Sequence, residues 1–234
     1  MTHALLLHGL GGAAADYDAV RPHLPADWHV EAPELTGDFD DASKHAADRL
    51  AAGALLVGHS MGGHVALAAA RRAARAEARL VLLAPGGVGP APPPALVAAA
   101  FSRDALCAMT PQAIEARSRS RFADPRHPAA DRLVAERLAM HATPALTAWA
   151  EQVERHVGGV TRRWIGDAAD TPGRLWIAHG AADTMVPPAL SAALAAAHPR
   201  ATLRIWTDAG HMLPHECPDR VAALIVEAAQ PAPR

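Results

Sequence analysis

Gly58-His59-Ser60-Met61-Gly62-Gly63 follows the apolar run Ala54–Val57 and opens the alanine-rich stretch Met61–Ala76. A short apolar run closed by glycine reads as a strand buried on both faces, and the alanine-rich stretch reads as a helix. A Gly-x-Ser-x-Gly pattern at such a junction is a nucleophile elbow. The turn is too tight for side chains on either side of the serine, so glycine stands at 58 and 62. The strain leaves the Ser60 hydroxyl exposed at the carboxyl end of the strand. The same residues would suit a packing turn with a chance serine, but the strand before and the helix after favour the elbow.

Outward from this turn, short apolar runs alternate with helical patterns. Strands are expected at His3–Leu7, Trp28–Glu31, Arg79–Leu83, Arg174–Ala178 and Ala201–Trp206, and helices at Asp16–Leu24, Asp41–Ala52, Pro188–Ala197 and Asp219–Ala229. Such alternation predicts an α/β fold, a mostly parallel sheet flanked by helices. From Pro85 to about Asp170 the rhythm stops. Helical segments are expected there at Ala95–Ala108, Pro111–Arg121, Ala129–Met140 and Pro144–Val157. Residues 1–84 and 171–234 should therefore form a core, and residues 85–170 an inserted helical cap. The tail Gln230–Arg234 should fray.

A serine becomes a good nucleophile only with a base, an acid to orient that base, and donors for the developing oxyanion. Behind an elbow the chain order is serine, acid, histidine. His211, in Asp208-Ala209-Gly210-His211-Met212, follows the last strand and reaches the rim that carries Ser60. It is the candidate base, and kcat/KM should rise with pH as it becomes neutral. His179 directly ends a strand and reads as structural. For the acid, the strand end after Leu83 offers Ala84-Pro85-Gly86-Gly87, with no carboxylate, whereas the loop after Ala178 offers Asp183. Asp208 reads as a turn residue. In His8-Gly9-Leu10-Gly11-Gly12 the backbone N–H of Leu10 can face a substrate oxygen, and the N–H of Met61 is the second candidate donor. Glycine-rich turns after strands also cradle phosphates. The G-x-G-x-x-G spacing is absent here, however, and no Gly-Lys-Ser/Thr follows.

With these residues assembled, the sequence resembles the α/β-hydrolase family. Four motifs fall in that family's order: His8-Gly9-Leu10-Gly11, Gly58-His59-Ser60-Met61-Gly62, Gly180-Ala181-Ala182-Asp183, and Gly210-His211 followed by Glu216-Cys217-Pro218. The resemblance implies a Ser60–His211–Asp183 triad under a helical cap and needs no cofactor or metal. The family usually opens with two further strands, so a six-stranded core is implied here. Dehalogenases and epoxide hydrolases of this family use an aspartate nucleophile, and its hydroxynitrile lyases a site lysine. Here the nucleophile is Ser60, the sole tyrosine, Tyr17, lies outside the cap, and the sole lysine, Lys44, lies on an expected surface helix. Acyl transfer to water remains: hydrolysis of an ester or thioester, or C–C cleavage of a diketone. The methyl esterases acting on pimeloyl carrier protein are similar. A carrier-dependent acyl hydrolase or transferase, or a small-molecule receptor that does not turn over, are the alternatives on the same fold.

The cap should choose the substrate. Leu96, Val97, Phe101, Leu106, Met109, Phe122, Leu138, Met140, Leu146 and Trp149 either line an apolar acyl pocket or pack cap helices onto the core. Arg117, Arg119, Arg121, Arg126, Arg132 and Arg137 outnumber the acidic residues around them. They read as a solvated helix face, with a docking patch for an acyl carrier protein as the other reading.

Composition narrows the class further. A hydrophobic fraction of 50% with 20% charged residues allows a sizeable core and argues against disorder. The net charge of −2 gives no electrostatic footprint for nucleic acid. Cys107 and Cys217 read as free thiols of a reducing cytoplasm, and no Cys/His set has zinc spacing. No basic n-region precedes the first apolar run, and prolines interrupt the charge-free stretch Leu80–Ser102. A cytoplasmic protein off the membrane is the expectation.

Overall fold

Six strands pair side by side, all parallel, in the order β2-β1-β3-β4-β5-β6. They are β1 (His3–Leu7), β2 (His29–Glu31), β3 (Leu55–His59), β4 (Arg79–Leu83), β5 (Arg174–Gly180) and β6 (Ala201–Trp206). The computed structural model describes residues 1–75, 77–90, 93–165 and 169–230.

Each inner strand is apolar along its length because both faces are covered. Leu5, Leu7, Leu56, Leu80, Leu82 and Ile177 share one cluster with α1 (Phe39–Ala51), α2 (Met61–Ala73) and Leu194 of α8 (Pro188–Ala197). Ala4, Leu6, Leu55, Val57, Val81 and Leu83 point the other way, against Tyr17 and α10 (Pro218–Ala229). Strand periodicity alone assigns alternate residues to the two layers. Leucines at 0% exposure each contribute about 1.5–3 kcal/mol through burial.

Two expected helices differ. Asp16–Leu24 is not continuous; it forms two short 3₁₀ turns, Ala14–Tyr17 and Arg21–His23. Pro22 lacks the N–H that a continuous helix would need at that position. Ala95–Ala108 is likewise two helices, α3 (Pro94–Ala100) and α4 (Arg103–Cys107), because the Ser102 hydroxyl accepts from the Ala105 N–H at 3.2 Å and starts a new helix. Helix α1 begins at Phe39 rather than Asp41, since Asp38 and Asp41 cap each other's backbone N–H groups. Helix α2 ends at Ala73. Of the expected fraying tail, residues 231–234 lie outside the described residues.

Between β4 and β5 the described residues form five helices, α3 to α7, the last three being α5 (Pro111–Arg119), α6 (Pro128–Met140) and α7 (Pro144–Arg162). A one-turn helix, α9 (Leu213–Glu216), follows β6. Among the described residues no helix is long and apolar enough to cross a membrane, and both cysteines are free.

Candidate active site

The turn after β3 is as tight as the glycines imply. A Cβ on Gly58 would lie 2.2 Å from the Gly62 carbonyl oxygen, and one on Gly62 would lie 2.1 Å from the Leu7 carbonyl oxygen. No side chain fits at either place. Between them Ser60 takes φ 53° and ψ −116°, outside the ordinary regions for an L-residue. Such a conformation costs on the order of 1–3 kcal/mol and persists because its surroundings hold it. The Ser60 N–H donates to the Leu83 carbonyl at 2.9 Å, and its own carbonyl accepts from Gly63 and Gly86 at 3.0 and 3.1 Å.

Ser60 opens onto a cavity of about 200 Å³ that His211 also lines. Beyond His211 lies Asp183, its side chain fully buried. The His211 Nδ1–H donates to Asp183 Oδ2 at 2.7 Å. The same oxygen accepts from His179 Nε2 at 3.0 Å, while Oδ1 accepts from the Met185 and Val186 N–H groups at 2.8 and 2.9 Å. Burial by itself raises the Asp183 pKa. The hydrogen bonds from His179, His211 and Val186 outweigh it and hold the carboxyl well below the usual carboxylate range. His179 is fixed in turn by Ser191, whose hydroxyl lies 2.7 Å from Nδ1. It supports the carboxylate, in keeping with a structural reading. Asp208 points away, paired with Arg220 at 2.8 Å on the surface.

Leu10 and Met61 line the same cavity, and no described acceptor takes either backbone N–H. The turn that carries Leu10 is locked from two sides. His8 Nδ1–H donates to the Gly9 carbonyl at 2.9 Å, while His8 Nε2 accepts from the Leu35 N–H at 3.0 Å. From above, Trp149 Nε1–H donates to the Gly11 carbonyl at 3.0 Å, and Arg137 donates to the same oxygen while stacking on the Trp149 ring.

Three supporting groups lack a local signature strong enough to single them out in sequence. Glu216 accepts from the Gly210 and Met212 N–H groups, both at 3.0 Å, and from the Ala123 N–H at 2.8 Å. It thus ties the His211 loop to the turn after α5. The nearest sequence signal was its place ahead of Pro218. His59, inside the elbow motif, donates from Nε2 to the His211 carbonyl at 2.7 Å. Asp16 lies on the cavity wall beside Gly12.

The residues expected to form the cap divide. Val97 and Phe101 reach the cavity, joined by Val157 and Trp164. Leu106 and Leu146 are buried, whereas Leu96 is 66% exposed. The arginines divide too. Arg119 pairs with Glu115 and Asp131 at 2.8 Å, and Arg126 with Asp124 at 3.4 Å. Arg121 and Arg137 instead line the cavity, which corrects the reading of all six as a solvated face.

Two buried histidines give the site an acid limit. Burial, with His211 close by, pushes His59 down to about 3. Burial pushes His64, whose Nε2–H donates to the Arg163 carbonyl, down to about 4. Both folded values lie below the unfolded value of about 6.5, so the unfolded chain takes up protons first as pH falls. Stability should be level above about pH 6.5. Below it, each histidine should remove up to about 1.4 kcal/mol per pH unit until the folded value is approached. Urea midpoints measured between pH 7 and pH 5 check this. A midpoint unchanged across that interval would mean that these histidines are not held neutral.

A family model described as the alpha/beta hydrolase family matches residues 4–224. A search of curated proteins finds no match. Among solved structures, the chain is similar to the 2-hydroxy-6-oxo-6-phenylhexa-2,4-dienoate hydrolase of Rhodococcus sp. strain RHA1. The identity is 22% over 97% of this chain and 90% of that one, with a TM-score of 0.79. It is also similar to a probable hydrolytic enzyme from Pseudomonas aeruginosa PAO1, at 20% identity over 98% and 86%, with a TM-score of 0.80. A thermophilic esterase from Thermogutta terrifontis is similar at 22% identity over 97% and 89%, with a TM-score of 0.73. At these identities the likeness is one of fold.

Proposed function

The chain belongs to the alpha/beta hydrolase family, and from that premise we propose that it hydrolyses a carboxylic ester or thioester through Ser60, His211 and Asp183. The observation that carries this reading is the 2.7 Å contact from His211 Nδ1 to a buried, ionised Asp183, with His211 on the cavity onto which strained Ser60 opens. Asp183 holds the Nδ1–H tautomer, which leaves the Nε2 lone pair free to act as base.

Ser60 Oγ attacks the acyl carbon as its proton passes to His211 Nε2. The developing oxyanion is held by the N–H groups of Leu10 and Met61. Collapse breaks the bond to the leaving alcohol or thiol, which takes the proton from His211. Water then adds to the acyl-enzyme with His211 again as base, releasing the acid and restoring Ser60. Cleavage of a C–C bond beside a ketone would use the same groups, with carbon as the leaving atom. It is the second reading because the Rhodococcus neighbour is named for such a dienoate substrate.

A p-nitrophenyl ester panel of graded acyl length, combined with fluorophosphonate labelling, tests the proposal. Many turnovers and a label on Ser60 alone are expected. A burst that stops at one equivalent would point to a receptor, and a label on another serine would overturn the assignment.

Leu10→Pro removes one oxyanion donor, because proline has no N–H. It should lower kcat by about 10²–10³-fold, the scale for a single such donor. Near-normal kcat in a variant that still labels at Ser60 would place the oxyanion elsewhere.

A further inference from the structure

Besides His59, Ser60 and His211, the cavity is lined by apolar groups and by three charged side chains, Arg121, Arg137 and Asp16. Two guanidinium groups face one carboxylate there. Asp16 is already engaged: its carboxylate accepts from the Ala13 N–H at 3.3 Å and lies 3.4 Å from His215. Arg137 is spent on the Gly11 carbonyl and the Trp149 face. Arg121 is different. Its Nε is shielded from solvent and has no acceptor among the described residues. Burial, with Arg137 and Arg117 nearby, lowers its pKa to about 10, which leaves it fully charged at neutral pH.

A shielded N–H of a charged group without an acceptor is costly, and a folded protein normally pairs it; the Asp16 charge nearby offsets only part of that cost. The Arg121 backbone does carry structure, since its carbonyl accepts from the His211 N–H at 2.7 Å. That bond needs no particular side chain, so it does not account for an arginine at the cavity wall. It does place the arginine next to the proposed base.

We propose that the Arg121 guanidinium takes a carboxylate of the substrate, so that the preferred ester or thioester bears a second, free carboxylate besides the acyl group that is cleaved. A planar guanidinium offers parallel donors that match both oxygens of a carboxylate. The apolar walls from Val97, Phe101 and Val157 take the chain between the two groups. This rests on the serine-hydrolase reading above. The carboxylate can come from the acyl side, as in a dicarboxylic monoester, or from the alcohol side.

The test compares mono-p-nitrophenyl glutarate with p-nitrophenyl 5-oxohexanoate, a neutral analogue of similar length, and the butyrate ester of 4-hydroxybutanoate with its methyl-capped form. Within the pair that carries the true arrangement, the wild type should favour the anion by about 10²-fold in kcat/KM, mostly through KM. Arg121→Met should bring that ratio to about one or below, and Arg121→Lys should retain part of it. Fluorophosphonate labelling of Ser60 reports whether each variant is folded. If Arg121→Met fails to label, the wild-type and Arg121→Lys ratios decide. Equal rates on charged and neutral esters of both pairs, with Ser60 labelled, would overturn the carboxylate proposal and leave the hydrolase reading standing. An anion preference that Arg121→Met retains would also overturn it. No turnover and no label would instead remove the hydrolase reading itself.

Discussion

Ser60→Ala is expected to lower kcat by about 10⁶-fold on any ester the wild type turns over, the scale seen when a triad acts as a unit. The loss is chemical. Alanine keeps a Cβ at φ 53°, so the elbow keeps its strain and the fold should survive with little change in thermal midpoint. Ser60→Gly should be as inactive yet more stable, because glycine takes a positive φ without that cost. Steady-state rates and thermal melts on the pair separate the two effects. Residual activity within about 10²-fold of wild type in Ser60→Ala would mean that the acyl group is not carried by this residue.

Asp183→Asn should lower kcat by about 10⁴-fold with the nucleophile still in place. Asp183 Oδ1 is held by the Met185 and Val186 N–H groups, so the asparagine oxygen takes that position. Its NH₂ then faces His211 and His179, where two N–H groups now donate. His211 keeps a hydrogen bond only by turning Nδ1 into an acceptor. That moves its proton to Nε2 and removes the base. Asp208→Asn, which alters only a surface pair with Arg220, should cost little. A reversal of the two results would place the orienting acid on the wrong loop.

Stability should follow the same carboxylate. The Asp183 pKa is held well below its unfolded value of about 3.9, so its stabilisation is complete above that value. It fades as pH falls from that value towards the folded one. The deficit of Asp183→Asn should therefore be constant from pH 5 to 8 and narrow below about pH 4.

Where local chemistry dictates the outcome, the pattern of residues is enough. Arg79–Leu83, Pro188–Ala197 and Ala201–Trp206 form as their patterns require. Gly58 was readable because a Cβ there would meet the Gly62 carbonyl within the same turn, whereas the clash at Gly62 is with the Leu7 carbonyl of β1. Ser60, Asp183 and His211 were nominated together because parallel strands bring successive loops to one rim. Helix ends were less readable. The break at Ser102 and the splitting of Asp16–Leu24 turn on single hydrogen bonds, which a periodicity averaged over a window does not resolve.

What surrounds the three residues depends on packing between distant segments. Glu216 holds Ala123, and His59 holds His211, across 93 and 152 positions of sequence, and no local pattern encodes such contacts. Arg121 and Arg137 share their composition and spacing with arginines that pair on the surface. What separates them is how the segment carrying them is seated over the carboxyl ends of the strands. That seating follows from which apolar faces pack together over the whole molecule, so it decides which charge enters the cavity.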